Sequence, residues 1–405
     1  MRSDVLVVGA GPAGTAAAIH LTRAGIDTLV VDRAHFPRDK TCGDGLTTLA
    51  LRELEDLGLD PATVASWTPV REAVLVAPSG REHRLPLPDG PGLYAAVARR
   101  HHLDHALVEL ARRRGAPVVE GRALTAVAVD DAGVTVTFAD GGHARCSRLV
   151  AADGMWSPVR RALVPDAADG YRGEWHAFRQ YLTGVDPRAA RELVVWFEPD
   201  VIPGYAWSFP VGDSTANVGF GLRRRGRLAG AEMAALWRDL LARPRLRAVL
   251  GPDATPEGPH RAWPIPARIG RLPLTAAGGR VLFVGDAAGA ADPLTGEGIG
   301  QALVTGRLAA AALAGAPTDP GAAGRAYRHA TRRHLLADDR MARALGPLLA
   351  RRRIAEAALR LVGATAWTRR NTARWMFEDY PRALVATPRR WHRGMFTGPG
   401  AYAPL

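Results

Sequence analysis

The chain has 405 residues, of which 47% are apolar and 23% charged, so it is long enough for two domains with buried cores and is not a disordered chain. Its net charge of +13 comes almost entirely from arginines spread along the sequence, with Lys40 as the sole lysine, and we predict no nucleic-acid partner. Its two cysteines exclude a disulfide framework and a four-thiolate metal site, and we predict no metal ligands.

The amino-terminal segment predicts a strand, a glycine-rich turn and a helix. An apolar strand over 4–8 runs into Gly-Ala-Gly-Pro-Ala-Gly, and an alanine-rich helix over 15–23 follows. Gly9 permits the tight turn, Gly11 lets backbone amides approach a pyrophosphate, and Gly14 lets the helix pack closely on the strand. The positive end of the helix dipole favours the phosphates.

A second apolar strand over 28–31 completes this unit. It ends at Asp32, where a carboxylate can bind a ribose hydroxyl, and Arg33 stands beside it. The unit predicts a dinucleotide site, but FAD and NAD use the same unit, so it does not choose between them.

Two later motifs favour FAD. Residues 150–160 contain Asp153-Gly154 after an apolar strand, and this pair resembles the second fingerprint of flavoproteins with the hydroxybenzoate-hydroxylase architecture. Residues 280–288 contain Gly285-Asp286 and resemble the third fingerprint, whose carboxylate holds the ribityl chain in that family. Residues 292–300 then open a helix, whose amides can stabilise negative charge on the flavin.

Arg100 matches an arginine that this family places near the cofactor at the start of a helix. Arg99 stands beside it, and an exposed helical arginine is the alternative.

Further stretches resemble the geranylgeranyl reductase family over residues 1–313. They are a Cys-Gly loop within 36–45, a Tyr-x-Trp-x-Phe-Pro segment within 203–210, and Asn-Val-Gly-Phe-Gly at 217–221. The resemblance implies that the aromatic segment lines a substrate cavity beside the flavin and that the Cys42-Gly43 loop lies near the isoalloxazine. It also implies that the reaction is the reduction of a carbon–carbon double bond.

The residue types in these segments agree with such a role. Tyr205, Trp207 and Phe209 alternate along a predicted strand, so they project to one face as an apolar wall that suits an isoprenoid. The alternative is that these rings fill a core. Cys42 follows two cations, and we expect a lowered pKa and a part in proton delivery, although a small residue that merely fits is the alternative. Our catalytic candidates are Cys42, Tyr205 and Trp207.

The predicted function is an FAD-dependent oxidoreductase that reduces double bonds of an isoprenoid or similar apolar substrate by hydride transfer from reduced flavin. NAD(P)H or a reduced electron carrier would supply the electrons. The alternative is a flavin-dependent monooxygenase acting through a flavin hydroperoxide, because the same fold serves both reactions. A flavin-bearing binding protein without turnover is a third alternative. A halogenase is disfavoured, because halogenases have Trp-x-Trp-x-Ile-Pro in place of the Tyr-x-Trp-x-Phe-Pro segment.

The relation to membranes rests on two observations. The chain starts without a signal-peptide pattern, and no apolar run reaches the roughly 18 to 20 residues of a spanning helix, so we expect a cytoplasmic protein. From residue 319 onward, however, a helical pattern interleaves apolar residues with arginine clusters, and it predicts either a peripheral membrane contact or a stripe packed on the rest of the protein. Residues 391–405 predict an extended tail.

We predict an α/β fold, with a Rossmann-like FAD-binding domain, a substrate domain with a mixed, mainly antiparallel sheet, and C-terminal helices. The FAD domain comprises 1–70, 96–165 and 265–325, the substrate domain 71–95 and 166–264, and the C-terminal helical region 326–405. The predicted cofactor-binding residues are Gly9, Gly11, Pro12, Ala13, Gly14, Asp32, Arg33, Cys42, Gly43, Arg100, Asp153, Gly154, Gly285, Asp286, Pro293, Gly296, Gly298 and Ile299.

Overall fold

The computed structural model describes residues 1–90, 92–168, 170–224, 230–391, 395 and 402. The strands in this part of the chain are β1 (Arg2–Val8), β2 (Thr28–Val31), β3 (Gly45–Leu46), β4 (Thr68–Pro69), β5 (Glu72–Val76), β6 (Glu82–Pro86), β7 (Ala96–Val97), β8 (Val118–Val119), β9 (Leu124–Asp130), β10 (Gly133–Phe138), β11 (His143–Ala151), β12 (Trp175–Thr183), β13 (Leu193–Trp196), β14 (Tyr205–Pro210), β15 (Thr215–Arg223), β16 (Thr255–Pro256), β17 (Arg261–Ile265), β18 (Thr275–Ala276) and β19 (Val281–Phe283).

The α-helices of the same residues are α1 (Pro12–Arg23), α2 (Thr48–Leu57), α3 (Arg100–Arg113), α4 (Pro158–Leu163), α5 (Pro165–Ala168), α6 (Gly230–Ala242), α7 (Pro244–Leu250), α8 (Ile299–Gly315), α9 (Pro320–Thr331), α10 (Ala337–Leu349), α11 (Arg352–Val362) and α12 (Ala366–Met376). The predicted α/β class, with a Rossmann-like sheet, a mixed sheet and C-terminal helices, is confirmed.

The first sheet has the strand order β18-β19-β11-β1-β2-β8, and β10 and β9 extend it beside β11. Strands β19, β11, β1, β2 and β8 run parallel. In this ladder Val8 is opposite both Val31 and Ala151, and Ala151 is opposite Phe283. The carboxyl ends of β1, β2, β11 and β19 are therefore level, and the turns that follow them meet at one edge, where ligands bind in such sheets.

Helices α1 and α8 pack closely on each other against the first sheet. An added Cβ on Gly306 of α8 would lie 2.3 Å from the Ala13 carbonyl oxygen, so a side chain at residue 306 would force the helices apart. Ile19 and Leu303 are fully buried in the core that the two helices share with the sheet. This packing holds the start of α1 at the carboxyl edge of β1.

The second sheet has the strand order β16-β12-β15-β14-β13-β5-β6, with β17 beside β12. In the described residues β13 pairs with β5 in parallel and the other pairs are antiparallel. On one face Phe220 packs with Trp237 of α6. On the other face Trp207 and Phe209 belong to a cluster that includes Phe377, directly after α12. The second sheet thus lies between α6 and α7 on one side and the C-terminal helices on the other.

The C-terminal region starts within continuous helical structure. Helix α9 spans residue 326, at which the sequence analysis begins this region, and the Tyr327 hydroxyl of α9 donates a 2.6 Å hydrogen bond to the Phe283 carbonyl oxygen of β19. The predicted extended tail lies outside the described residues, apart from Trp391, Met395 and Tyr402. Across the described ranges, no helix has both the length and the apolarity needed to cross a membrane.

Candidate active site

A cleft of about 560 Å³ opens between the carboxyl edge of the first sheet and the second sheet. Its walls bring together the three glycine motifs, the cysteine loop and the aromatic segment. The predicted site residues that line it are Gly9, Gly11, Pro12, Ala13, Asp32, Arg33, Cys42, Gly43, Arg100, Asp153, Gly154, Tyr205, Trp207, Gly285, Asp286, Gly296, Gly298 and Ile299.

Two of the predicted residues lie behind the lining of the cleft. Gly14 is buried in α1, where an added Cβ would lie 1.8 Å from the Gly9 carbonyl oxygen, so this glycine permits the close approach of helix and strand. Pro293 turns its carbonyl oxygen to the Trp175 indole, whose Nε1 donates to it at 3.0 Å. These two residues shape the site without lining it.

The first glycine turn requires glycine at residue 9. Gly9 has φ +105°, and a Cβ there would lie 2.3 Å from the Ala152 carbonyl oxygen, so a larger residue would strain the backbone and push β11 away. Helix α1 begins after Gly11 without a side-chain cap. Its first backbone N–H groups are therefore available to an anion in the cleft.

Asp32 is held by backbone donors from both sides. Its Oδ2 accepts a hydrogen bond from the Ala10 amide at 2.7 Å, and its Oδ1 accepts one from the Ala34 amide at 2.8 Å. A carboxylate oxygen can accept more than one hydrogen bond, so both oxygens keep capacity for ribose hydroxyls.

The second and third motifs are joined by a buried arginine. Arg160 donates through Nη1 to the Ala287 carbonyl oxygen at 2.7 Å and through Nη2 to the Met155 carbonyl oxygen at 2.8 Å. In the same turn Asp153 accepts from the Val159 amide at 3.0 Å, and burial raises the pKa of its carboxyl. Asp153 Oδ1 is buried without a hydrogen-bond partner among the described residues. It is therefore able to accept from a ligand in the cleft.

The cysteine loop is tied to the aromatic wall through Asn217 of β15. The Asn217 amide nitrogen donates to the Cys42 carbonyl oxygen at 2.9 Å and to Asp44 Oδ2 at 2.8 Å, and its oxygen accepts from Trp207 Nε1 at 3.0 Å. Tyr181 also donates to Asp44 Oδ2, at 2.5 Å. Asp44 is fully buried with φ +65°, and burial raises its pKa to about 6 although these donors oppose that shift.

The aromatic segment forms one wall of the cleft. Tyr205, Trp207 and Phe209 all line it, and the ring centroids of successive residues lie 5.9 and 6.1 Å apart. Gly219 is opposite Trp207 in the ladder, and a Cβ there would lie 2.4 Å from Trp207 Cζ2. The Asn-Val-Gly motif therefore leaves room for the indole across β15. Facing the wall, a Cβ on Gly45 would lie 3.4 Å from Phe209 Cε2, so the cysteine loop packs against these rings.

The expected lowering of the Cys42 pKa is wrong. Burial raises the pKa of this thiol, and the opposing effect of Arg100 is smaller. The two cations that precede Cys42 are engaged elsewhere: Arg38 Nη1 lies 2.9 Å from Asp104 Oδ2, and Lys40 Nζ lies 4.2 Å from the Trp263 ring centroid. Their positive charge therefore does not offset the effect of burial on the thiol.

Arg100, rather than its neighbour, faces the cleft. It is buried, and its guanidinium donates to both carboxylate oxygens of Asp104 at 2.7 and 2.8 Å. Arg99 instead binds Glu257 at 2.7 Å and lies over the Tyr181 ring. The pairing with Asp104 fixes Arg100 at the cleft wall.

Comparisons with known proteins agree with this geometry. Residues 2–344 match the family model described as FAD binding domain. Menaquinone reductase of Mycobacterium tuberculosis is 39% identical over 334 residues, which cover 77% of this chain and 76% of that protein. Digeranylgeranylglycerophospholipid reductase 1 of Methanopyrus kandleri is 32% identical over 322 residues, which cover 76% of this chain and 80% of that protein.

The chain belongs to the geranylgeranyl reductase family of FAD-dependent oxidoreductases. Its fold resembles the crystal structure of a geranylgeranyl bacteriochlorophyll reductase-like protein from Thermoplasma acidophilum, with a TM-score of 0.79 and 23% identity over 96% of this chain and 99% of that chain. The predicted family, the FAD cofactor and the oxidoreductase class are confirmed. The uncapped start of α1, the glycine at residue 9 and the unpaired Asp153 Oδ1 fit an extended dinucleotide at this edge.

Sequence reasoning missed several cleft residues of this geranylgeranyl reductase family member. Asp44 and Glu297 each stand between two glycines inside a recognised motif, but we assigned them no role. The signal that could have identified both residues is an acidic side chain inside a glycine turn, next to a buried segment. Trp263 lines the cleft on β17 and carried no motif, so sequence offered no signal for it.

Proposed function

We propose that this protein saturates carbon–carbon double bonds in the isoprenoid chain of a lipid, with a polyprenyl quinone as the first substrate to test. The observation that supports this proposal is the aromatic wall of Tyr205, Trp207 and Phe209, which lines the same cleft as the glycine turns of the first sheet. An apolar chain lying along these rings loses contact with water, which favours its binding. The names of the menaquinone and digeranylgeranylglycerophospholipid reductases refer to lipids with isoprenoid chains.

In this proposal the predicted cofactor residues hold FAD along the edge of the first sheet. The α1 amides and Gly11 bind the pyrophosphate, Asp32 binds the adenosine ribose, and Asp286 binds the ribityl chain. When bound, reduced FAD supplies the hydride, and NAD(P)H or a reduced electron carrier supplies its electrons. The aromatic wall orients the alkene and excludes water, while Asn217 holds the Cys42 loop against that wall.

The test is single turnover without oxygen. The protein is reduced, mixed with a polyprenyl quinol whose ring is already reduced, and followed by flavin absorbance and by mass spectrometry of the lipid. We expect reoxidation of the flavin and a product that is heavier by two hydrogens. Failure of any polyprenyl alkene to reoxidise the flavin, with an oxygenated product formed in air, would establish the monooxygenase alternative instead.

A pair of variants separates substrate binding from general packing. Phe209 and Phe220 are both buried in the second sheet, but Phe209 lines the cleft and Phe220 packs against α6 on the opposite face. We expect Phe209→Leu to raise the KM for a polyprenyl substrate about tenfold, because contact area with the chain is lost. The control Phe220→Leu lowers stability and leaves KM unchanged. Equal KM values for both variants would contradict the assigned wall.

We further propose that the C-terminal helices contact an anionic membrane surface, from which a lipid substrate reaches the cleft. In the structure, part of the predicted apolar stripe is buried and part is exposed to solvent. Leu359 is buried, whereas Leu361 is 69% exposed, Trp367 62% and Ile354 36% exposed. Ile354 and Leu361 lie seven residues apart on α11, on one face, and exposed arginines at 351–353 adjoin them. Apolar side chains beside exposed cations suit the boundary of acidic headgroups and acyl chains.

The membrane proposal is tested by sedimentation with vesicles. Arg351, Arg352 and Arg353 are replaced by Gln, and the matched control replaces the exposed run at 112–114 in the same way. Each arginine near an anionic surface contributes about 1 kcal/mol, so we expect about a hundredfold weaker binding to phosphatidylglycerol vesicles for the first variant alone. Equal loss in both variants would indicate nonspecific charge attraction and contradict this surface.

A further inference from the structure

Glu297 occupies the cleft wall where the third motif turns into α8. It lines the cleft and is half-buried, and its Oε1 would lie 3.7 Å from a Cβ on Gly45. The same Gly45 packs against Phe209 of the aromatic wall, and a Cβ on Gly43 would lie 3.7 Å from Trp207 Cε2. The carboxyl group of Glu297 therefore shares one region with the cysteine loop and the rings proposed to hold the alkene.

Behind Glu297 lies an acidic cluster with one guanidinium. Arg382 Nε is 3.5 Å from Asp292 Oδ2, and its Nη2 is 3.7 Å from Glu378 Oε1. Glu378 also accepts from Thr47 Oγ1 at 2.7 Å and from Gln301 Nε2 at 2.6 Å. Arg382 and these donors favour the carboxylate form of Glu378, but burial outweighs them and raises the pKa of this group as well.

Of the three carboxyl groups in this cluster, Glu297 is the one that lines the cleft. Burial, then the charge of Glu378, raises its pKa to about 8, although Arg382 opposes this shift and Asp292 adds to it. On the cleft side the titratable groups that interact with it are the Cys42 thiol and the Tyr205 hydroxyl. An acid whose pKa lies near the working pH is an effective general acid.

The two proton donors considered from sequence are less suited. Burial raises the pKa of the Cys42 thiol from an ordinary value that is already 9.0, so it releases a proton less readily than Glu297. The Tyr205 hydroxyl donates a short hydrogen bond to the Thr295 carbonyl oxygen, and burial raises its pKa as well. Its proton is thus committed to the backbone.

We propose that Glu297 is the general acid that protonates the alkene in the reaction proposed above, on which this inference rests. As the carbon–carbon π bond breaks, one carbon receives the hydride with its two electrons and the other forms a C–H bond to the Glu297 proton. The alkene is reduced and the flavin is oxidised by two electrons. The Glu297 O–H bond breaks, and the carboxylate then regains a proton from water in the open cleft.

The first test compares Glu297→Gln with the wild type. Because a positioned general acid contributes about 10² to 10⁴ in rate, we expect polyprenyl saturation in single turnover to fall at least a hundredfold. FAD affinity and oxidation of the reduced flavin by ferricyanide, which needs no protonated carbon, stay unchanged. Saturation by Glu297→Gln at the wild-type rate would overturn the role of Glu297 and leave the proposed function intact. A wild type that saturates no alkene overturns both.

The second test measures the protonation state of Glu297 without turnover. We expect the infrared difference between wild type and Glu297→Gln, both with FAD bound, to show a carboxylic acid C=O stretch at pH 7, and its absence overturns the proposal. Glu378→Gln removes a negative neighbour, so the pKa of Glu297 falls and this band disappears at a lower pH than in the wild type. The rate of saturation in wild type is expected to fall above about pH 8 with the same titration. If the infrared band and the rate of saturation titrate with different pKa values, the assignment of Glu297 as the general acid is also refuted.

Discussion

The replacement of Asn217 by Leu tests how the cysteine loop is held. The amide of Asn217 is fully buried and makes hydrogen bonds of 2.8 to 3.0 Å with Asp44, Cys42 and Trp207. Leucine has the same branched shape and is not smaller, so it removes these three hydrogen bonds without opening a cavity, while Asp44 keeps the hydrogen bond from Tyr181. Each lost hydrogen bond costs about 1 kcal/mol, so the free energy of unfolding should fall by about 3 kcal/mol.

Ser208 supplies the matched control on the adjacent strand β14. Its hydroxyl is fully buried but has no hydrogen-bond partner within the described part of the chain, so Ser208→Ala should change stability by less than about 1 kcal/mol. Both variants are measured by urea unfolding of the FAD-loaded protein, followed by circular dichroism and by flavin fluorescence. We expect the flavin fluorescence to change in Asn217→Leu at low urea, because the Cys42 loop is released. Equal stabilities for the two variants would refute the reasoning.

The remaining predictions concern the wall, the loop and the cofactor. Gly219→Val places a side chain 2.4 Å from Trp207 Cζ2, so the free energy of unfolding, measured by thermal unfolding, should fall by about 3 kcal/mol. Gly258→Ala, with open space around the added methyl group, should leave the free energy of unfolding unchanged. Burial raises the Asp44 pKa from 3.8 to about 6, so the folded protein binds this proton more tightly than the unfolded chain. The free energy of unfolding of the wild type should therefore fall by up to about 3 kcal/mol relative to that of Asp44→Asn as the pH rises from about 4 to about 6. If the two proteins showed the same dependence of stability on pH, this reasoning would be contradicted. Asp32→Ala should weaken FAD binding about tenfold to a hundredfold in a fluorescence titration, and an unchanged Kd would exclude the ribose contact.

The strongest sequence predictions were those in which local backbone chemistry decides the outcome. Gly9 has a positive φ, and a Cβ on Gly14 would meet the Gly9 carbonyl oxygen five residues earlier, so both positions require glycine for local reasons. The alternation of Tyr205, Trp207 and Phe209 likewise depends on the two-residue repeat of a strand, and all three rings line one cleft.

Predictions about electrostatics were weaker, because charge depends on neighbours from distant segments. Arg38 and Lys40 precede Cys42 in sequence, but Asp104 and Trp263 bind these cations, and burial then raises the thiol pKa. Long side chains choose their partners in three dimensions, so closeness in sequence does not establish an electrostatic effect.

The amino-acid sequence by itself determined the family, the cofactor and the sheet edge at which the three glycine turns meet, because glycine turns and strand ends follow from local geometry. Tertiary structure alone decided how the carboxyl groups of the cleft ionise, as Glu297 shows. Glu297 is separated in sequence from Glu378 and Arg382, and its protonation depends on burial and on these distant charges. Ionisation is set by the dielectric surroundings and by the sum of nearby charges, and both exist only once the chain has folded.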